Sequence, residues 1–194
     1  MTSEAPPSCR IFLSDGQQRK TLALARVFGR QGHEVAVGEE TSCAVTMFSH
    51  YVRRRLVYPS PKKHPDACRD RLLEFIVSWK PDVFFPMDDP IADIVVAHWE
   101  EFTRVVRVAL CPPACYMLGR NKEQTYELAV RNGVRAPVTF RPKSVEEARE
   151  AARRLGFPCV LKPRTSSGAR GLRIVRDEST LEEAYKSVAA RYSF

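Results

Sequence analysis

Lys162 ends a short apolar run, Pro163 follows it at once, and Thr165, Ser166, Ser167, Gly168, Ala169, Arg170 and Gly171 come next. Residue types of this kind in this order suit one chemistry. Residues 157–161 and 172–175 are apolar or alternate apolar with basic, as strands do. Pro163 removes a backbone donor and takes the chain out of the sheet. Small side chains, hydroxyls, free N–H groups and two glycines then allow the backbone to approach an anion closely. Lys162 and Arg170 add positive charge to the same place. The stretch reads as a hairpin that grips phosphate, with a polyphosphate as its natural occupant. The alternative is a plain surface turn without a ligand.

Lys122 is the second residue of this kind. Residues 118–131 read as a helix stopped by Asn132 and Gly133. A lysine near a helix N-terminus opposes the helix dipole, so local stability does not account for it. A solubilising surface lysine is the competing explanation.

The V-L-K-P strand end, the S-S-G-A-R-G loop and the returning G-L-R-I-V strand resemble the ATP-binding hairpin of the ATP-grasp superfamily, in its carbamoyl-phosphate synthase large-chain and biotin carboxylase form. The resemblance implies that Lys122, Lys162, Ser166, Ser167, Gly168, Arg170 and Gly171 contact ATP, with the loop folding over the β and γ phosphates. The family loop is richer in glycine than this one. The resemblance further implies a carboxylate–amine (or thiol) ligase that activates a carboxylate with ATP through an acyl phosphate. Its second lobe would supply the adenine hinge, the Mg2+ ligands and a catalytic arginine. No residues here match those parts, so the catalytic residues stay unassigned and we expect a truncated, inactive N-terminal portion. An apolar face left uncovered would encourage self-association, so a homo-oligomer is a further expectation.

The elements that must position these residues fall into two groups. Residues 9–13, 34–37, 56–58, 82–85 and 104–110 read as strands, with helices over 17–30 and 66–80 and a turn at residues 86–90. In that turn Asp89 is expected to cap the next helix with Pro90 at the first helical position, and Asp88 is a candidate substrate contact at a strand's carboxyl end. Residues 111–117 read as a linker and 138–140 as a strand. Ser144 with Glu147, and Ser179 with Glu182, read as capping boxes. The expected fold is α/β: a Rossmann-like pre-ATP-grasp domain with a parallel sheet over residues 1–113, then the smaller α+β lobe of an ATP-grasp domain over 114–194.

Composition narrows the alternatives. Hydrophobic residues make up 44% of the chain and charged residues 28%, and no apolar run is long enough for a membrane span. The start, MTSEAPPSCR, lacks the basic and apolar regions of a secretory signal, so a cytoplasmic protein with six reduced cysteines is expected. Gly16 alone follows the first strand, which excludes the G-x-G-x-x-G of a dinucleotide site. Cys111 and Cys115 lack further partners at zinc spacing. Residues 1–110 hold 15 Lys and Arg against 14 Asp and Glu, and residues 111–194 hold 16 against 9, so nearly all of the net +8 lies in the half with the proposed phosphate loop. Nucleic acid could also account for that charge, with the basic stretch 52–65 as its patch, but aromatic residues are sparse there. A scaffolding α/β domain without a ligand is the other alternative.

Overall fold

The computed structural model describes residues 7–165 and 169–192. The chain divides into two compact units, Met1–Pro113 and Ala114–Phe194.

The first unit is built on five parallel strands, β1 (Arg10–Leu13), β2 (Glu34–Glu39), β3 (Val52–Val57), β4 (Val83–Phe85) and β5 (Arg107–Val108), in the order β3-β2-β1-β4-β5. The period-2 alternation of β1 divides the core. Ile11 and Leu13 pack with Val35, Val37 and Ala25 of helix α1 (Arg19–Arg30) on one face. Phe12 points the other way, stacking on Phe84 with 4.8 Å between centroids, beside Leu72 and Ile76 of α2 (Pro65–Trp79). Helices α3 (Asp89–Ala97) and α4 (Trp99–Val105) close that second face. A three-layer α/β unit results. Its strand order reverses between β1 and β4, so a crevice is expected above their carboxyl ends.

The strand expected over 56–58 is instead β3 over Val52–Val57, with Val52 and Leu56 buried and Arg53, Arg54 and Arg55 exposed between them, and two further elements differ from the sequence reading. Alternation over 104–110 predicts a strand, yet only Arg107–Val108 pairs with β4. Phe102 and Val106 bury on the helical side of that stretch, and α4 takes the earlier residues. Helix α3 begins at Asp89, so Asp88 and not Asp89 is the N-cap residue, and its side chain makes no capping bond.

The second unit holds α5 (Pro113–Arg120), α6 (Lys122–Arg131), α7 (Val145–Leu155), an antiparallel pair β6 (Cys159–Leu161) and β7 (Arg173–Val175), and α8 (Leu181–Ala189). Its core is small: Ala148 and Ala152 of α7 allow close approach of Val175, Leu181 and Tyr185. Arg149–Glu182 at 2.5 Å and Arg153–Glu178 at 2.7 Å link α7 to the α8 region from outside. The predicted linker is instead the start of α5, because Pro113 suits a first helical position. Residues 138–140 form no strand. The box at Ser144 is present in altered form: Ser144 Oγ accepts the Glu147 N–H at 3.1 Å, but the Glu147 carboxylate reaches the N–H of Lys143, not of Ser144. At α8 the predicted box is absent. Asp177, which can only accept, takes both the Ser179 hydroxyl proton (2.6 Å) and the Thr180 N–H (3.1 Å), and these bonds hold its carboxyl below the usual range.

Among the described residues no helix is long and apolar enough to cross a membrane.

Candidate functional site

Asn121 fixes the start of α6. Its Oδ1 accepts from the N–H groups of Glu123 (3.0 Å) and Gln124 (3.4 Å), which places Lys122 at the first helical position. The Lys122 N–H is directed away from the helix and donates to the Arg164 carbonyl at 3.2 Å. Arg164 lies two residues past Lys162, across Pro163, so this bond draws the two lysines toward one place. Both line a single cavity of about 430 Å³, walled also by Glu123, Tyr126, Arg141 and Arg164. Phe140, Leu155 and Leu161 supply part of its apolar lining.

The charges at this cavity are ordered. Glu123 Oε1 meets Arg141 Nη1 at 3.1 Å and Glu123 Oε2 meets Arg164 Nε at 3.1 Å, while Arg141 also reaches Glu127 at 2.8 Å. The sequence reading missed Glu123, Arg141 and Arg164. Its available signal was the acidic pair Glu123 and Glu127, four apart on one helix face, which calls for a cation across from it.

Of the other predicted residues, Ser166, Ser167 and Gly168 lie outside the described residues. Arg170 and Gly171 do not line the cavity; they belong to a turn in which the Leu172 N–H donates to the Ala169 carbonyl at 3.1 Å. Gly171 is nonetheless required there. It has φ +75°, and a Cβ would lie 2.7 Å from Pro163 Cγ and 2.7 Å from Tyr192 Cε2. The two feet of the loop, Pro163 and Gly171, are packed together.

In the first unit, the carboxyl ends of β1 and β4 are joined by their own side chains. Ser14 Oγ donates to Asp15 Oδ2 and accepts the Met87 N–H at 2.8 Å, and Asp15 Oδ2 also accepts the Asp88 N–H at 2.9 Å. The Asp15 N–H donates to the Tyr58 hydroxyl at 3.1 Å. Burial, with the nearby carboxylates of Asp88 and Glu39 adding to it, pushes the Asp15 carboxyl up to about 6. Burial likewise holds the Tyr58 hydroxyl far above its ordinary value, so it stays protonated. The Asp88 carboxylate is engaged by Lys20 at 3.6 Å and Gln18 at 3.4 Å.

A parallel α/β unit followed by a helical lobe with a two-stranded hairpin is the fold that the chain shares with the solved structures named below, and by its family match the stretch 121–194 belongs with the ATP-grasp domains. Residues 121–194 match the family model for the carbamoyl-phosphate synthase L chain, ATP binding domain. Formate-dependent phosphoribosylglycinamide formyltransferase of Rhodococcus jostii (strain RHA1) is 33% identical over 182 residues, a match covering 93% of this chain and 42% of that protein. The biotin carboxylase domain of Hydrogenobacter thermophilus 2-oxoglutarate carboxylase, solved with MgADP, ADP and bicarbonate, superposes with a TM-score of 0.69 over 96% of this chain and 42% of its own, at 19% identity. The ADP complex of an N5-carboxyaminoimidazole ribonucleotide synthetase gives 0.70 over 98% of this chain and 47% of its own, also at 19% identity. At such identity these two structures speak for the fold. The chain therefore spans less than half of these relatives.

Proposed function

We propose that this chain forms the pre-ATP-grasp domain (1–113) and the smaller nucleotide-binding lobe (114–194) of an ATP-dependent ligase that activates a carboxylate as an acyl phosphate for attack by an amine. The observation that carries this reading is the convergence of Lys122 and Lys162 on one cavity, tied together through the Arg164 carbonyl. Two lysines lining one cavity suit a polyphosphate, as an ammonium does not need fixed orientation to meet its oxygens. ATP, when bound, supplies the phosphoryl group that the carboxylate accepts.

Within that chemistry the residues have separate tasks. Lys122 and Lys162 hold the phosphates and offset charge that builds up during transfer. Ser166, Ser167, Gly168, Arg170 and Gly171 are assigned to the loop that covers them. Cys159 and Leu161, on β6, keep the lysine-bearing strand end seated on α7. Among the described residues no cluster of three or more His, Cys, Asp or Glu side chains could hold a metal, and the Mg2+ that would accompany ATP is assigned to ligands of the second lobe.

Thermal unfolding with and without millimolar Mg·ATP tests the reading, with Lys162→Ala alongside. At ~100 times its dissociation constant a ligand adds about 2.7 kcal/mol to stability. The wild-type midpoint is expected to rise and the variant's to stay put. Equal responses of the two proteins would remove Lys162 from the site.

A further inference from the structure

We propose that Glu123 is a positioning residue for polyphosphate: by bridging Arg141 and Arg164 it fixes the exit of β6 against the start of α6 and so sets the spacing of Lys122 and Lys162. The inference rests on the nucleotide reading above. Each Glu123 oxygen serves a different guanidinium, Oε1 that of Arg141 and Oε2 that of Arg164, both at 3.1 Å. Arg164 grips α6 twice, with its carbonyl on the Lys122 N–H and its Nε on the next side chain, Glu123. With Pro163 restricting the backbone between them, Lys162 has little freedom to move relative to Lys122. Arg141 brings in the segment 137–143, and its second contact, with Glu127 one helical turn further on, lays it along α6. Two of the cations lining this cavity, Arg141 and Arg164, are thus tied to carboxylates of α6, and through them the spacing of Lys122 and Lys162 is set.

Exposed ion pairs add little to stability, and those of Glu123 are partly exposed, its side chain at 26% and those of the arginines at 39% and 38%. Displacement of a binding group, in contrast, is felt strongly by the ligand. The two roles Glu123 could have give opposite signs. If it acted only through its charge, removing it would make the rim more positive and tighten polyphosphate binding. If it positions the lysines, removing it weakens binding although the net charge has risen.

The test is titration of Mg·ATP, and of inorganic tripolyphosphate, into the full chain and its Glu123→Gln, Glu123→Ala, Glu123→Asp and Lys162→Ala variants, with unfolding midpoints recorded for each. Glu123→Gln and Glu123→Ala are expected to bind both ligands about 10-fold more weakly with midpoints within a few degrees of wild type, and Glu123→Asp to recover most of the loss. Arg164→Lys, which keeps the charge but not the Nε contact, is expected to weaken binding several-fold and serves if a Glu123 variant does not fold. Unchanged or tighter binding in Glu123→Ala, with Lys162→Ala still defective, would overturn the positioning role and leave the nucleotide reading in place. A wild-type chain that binds neither ligand would overturn both.

Discussion

At the scale of single residues, Asp15 gives the clearest test. Its carboxyl is raised from 3.8 to about 6, first by burial and then by Asp88 and Glu39. A group raised on folding favours the native state when protonated. Its contribution is therefore whole below about pH 4 and is lost as pH climbs through about 6. A difference of this size corresponds to about 2 to 3 kcal/mol. Asp15→Asn keeps an acceptor for the Asp88 N–H but cannot ionise. Urea unfolding should find the variant more stable than wild type by about 2 kcal/mol at pH 7.5, with the gap closing by pH 4.5. Parallel pH curves for the two proteins would show that Asp15 is not the titrating group. Neither Asp15 nor Glu123 stood out in the sequence, since what distinguishes them comes from residues far along the chain: Met87 and Asp88 for one, Arg141 and Arg164 for the other. Lys122 and Lys162, which line one cavity, stand out in the sequence as candidates because each breaks a local pattern, one as a cation at a helix start and the other as a charge at the end of an apolar strand.

At the scale of elements, two helical glycines should respond in opposite ways to the same change. Gly119 lies in α5, where an added Cβ would meet nothing within 4 Å, so Gly119→Ala is expected to stabilise by up to about 1 kcal/mol through helix propensity alone. At Gly29 of α1 that Cβ would lie 2.4 Å from the Cβ of Tyr51 and 2.5 Å from its ring, so Gly29→Ala is expected to destabilise by about 1 to 3 kcal/mol as the helix is pushed from its seat. Paired thermal melts read both signs, and a stabilised Gly29→Ala would contradict the packing of α1 on the residues before β3. The same contrast explains what was legible among the elements. The strands of the parallel sheet and the helices α1, α2 and α7 carry their own periodicity. Over 104–110 the alternation overstates the strand, and over 138–140 no strand forms, because a strand exists only where a partner runs beside it: β5 keeps two residues against β4, and 138–140 line the cavity instead. At α8 the capping pattern is one residue out: the helix begins at Leu181, so Thr180 and not Ser179 holds the N-cap position, and the Ser179 hydroxyl donates to Asp177.

At the scale of the whole molecule, the two units have separate and unequal cores. Both apolar clusters of the first unit are completed within residues 9–108, whereas the second unit buries a handful of side chains around Ala148 and Ala152. Calorimetry of the full chain is expected to show two transitions, with residues 1–113 alone reproducing the upper one. Mg·ATP should raise the lower transition only. A single transition, or a ligand effect on the upper one, would contradict the assignment. The feet of the loop, Pro163 and Gly171, lie against each other, and seven residues of chain run between them. At about 3.3 to 3.6 Å per residue, a chain of that length that leaves and returns to one spot cannot reach beyond roughly 13 Å from it. Covalent length alone therefore bounds how far from the hairpin base any partner of these residues could lie, before its chemistry is considered.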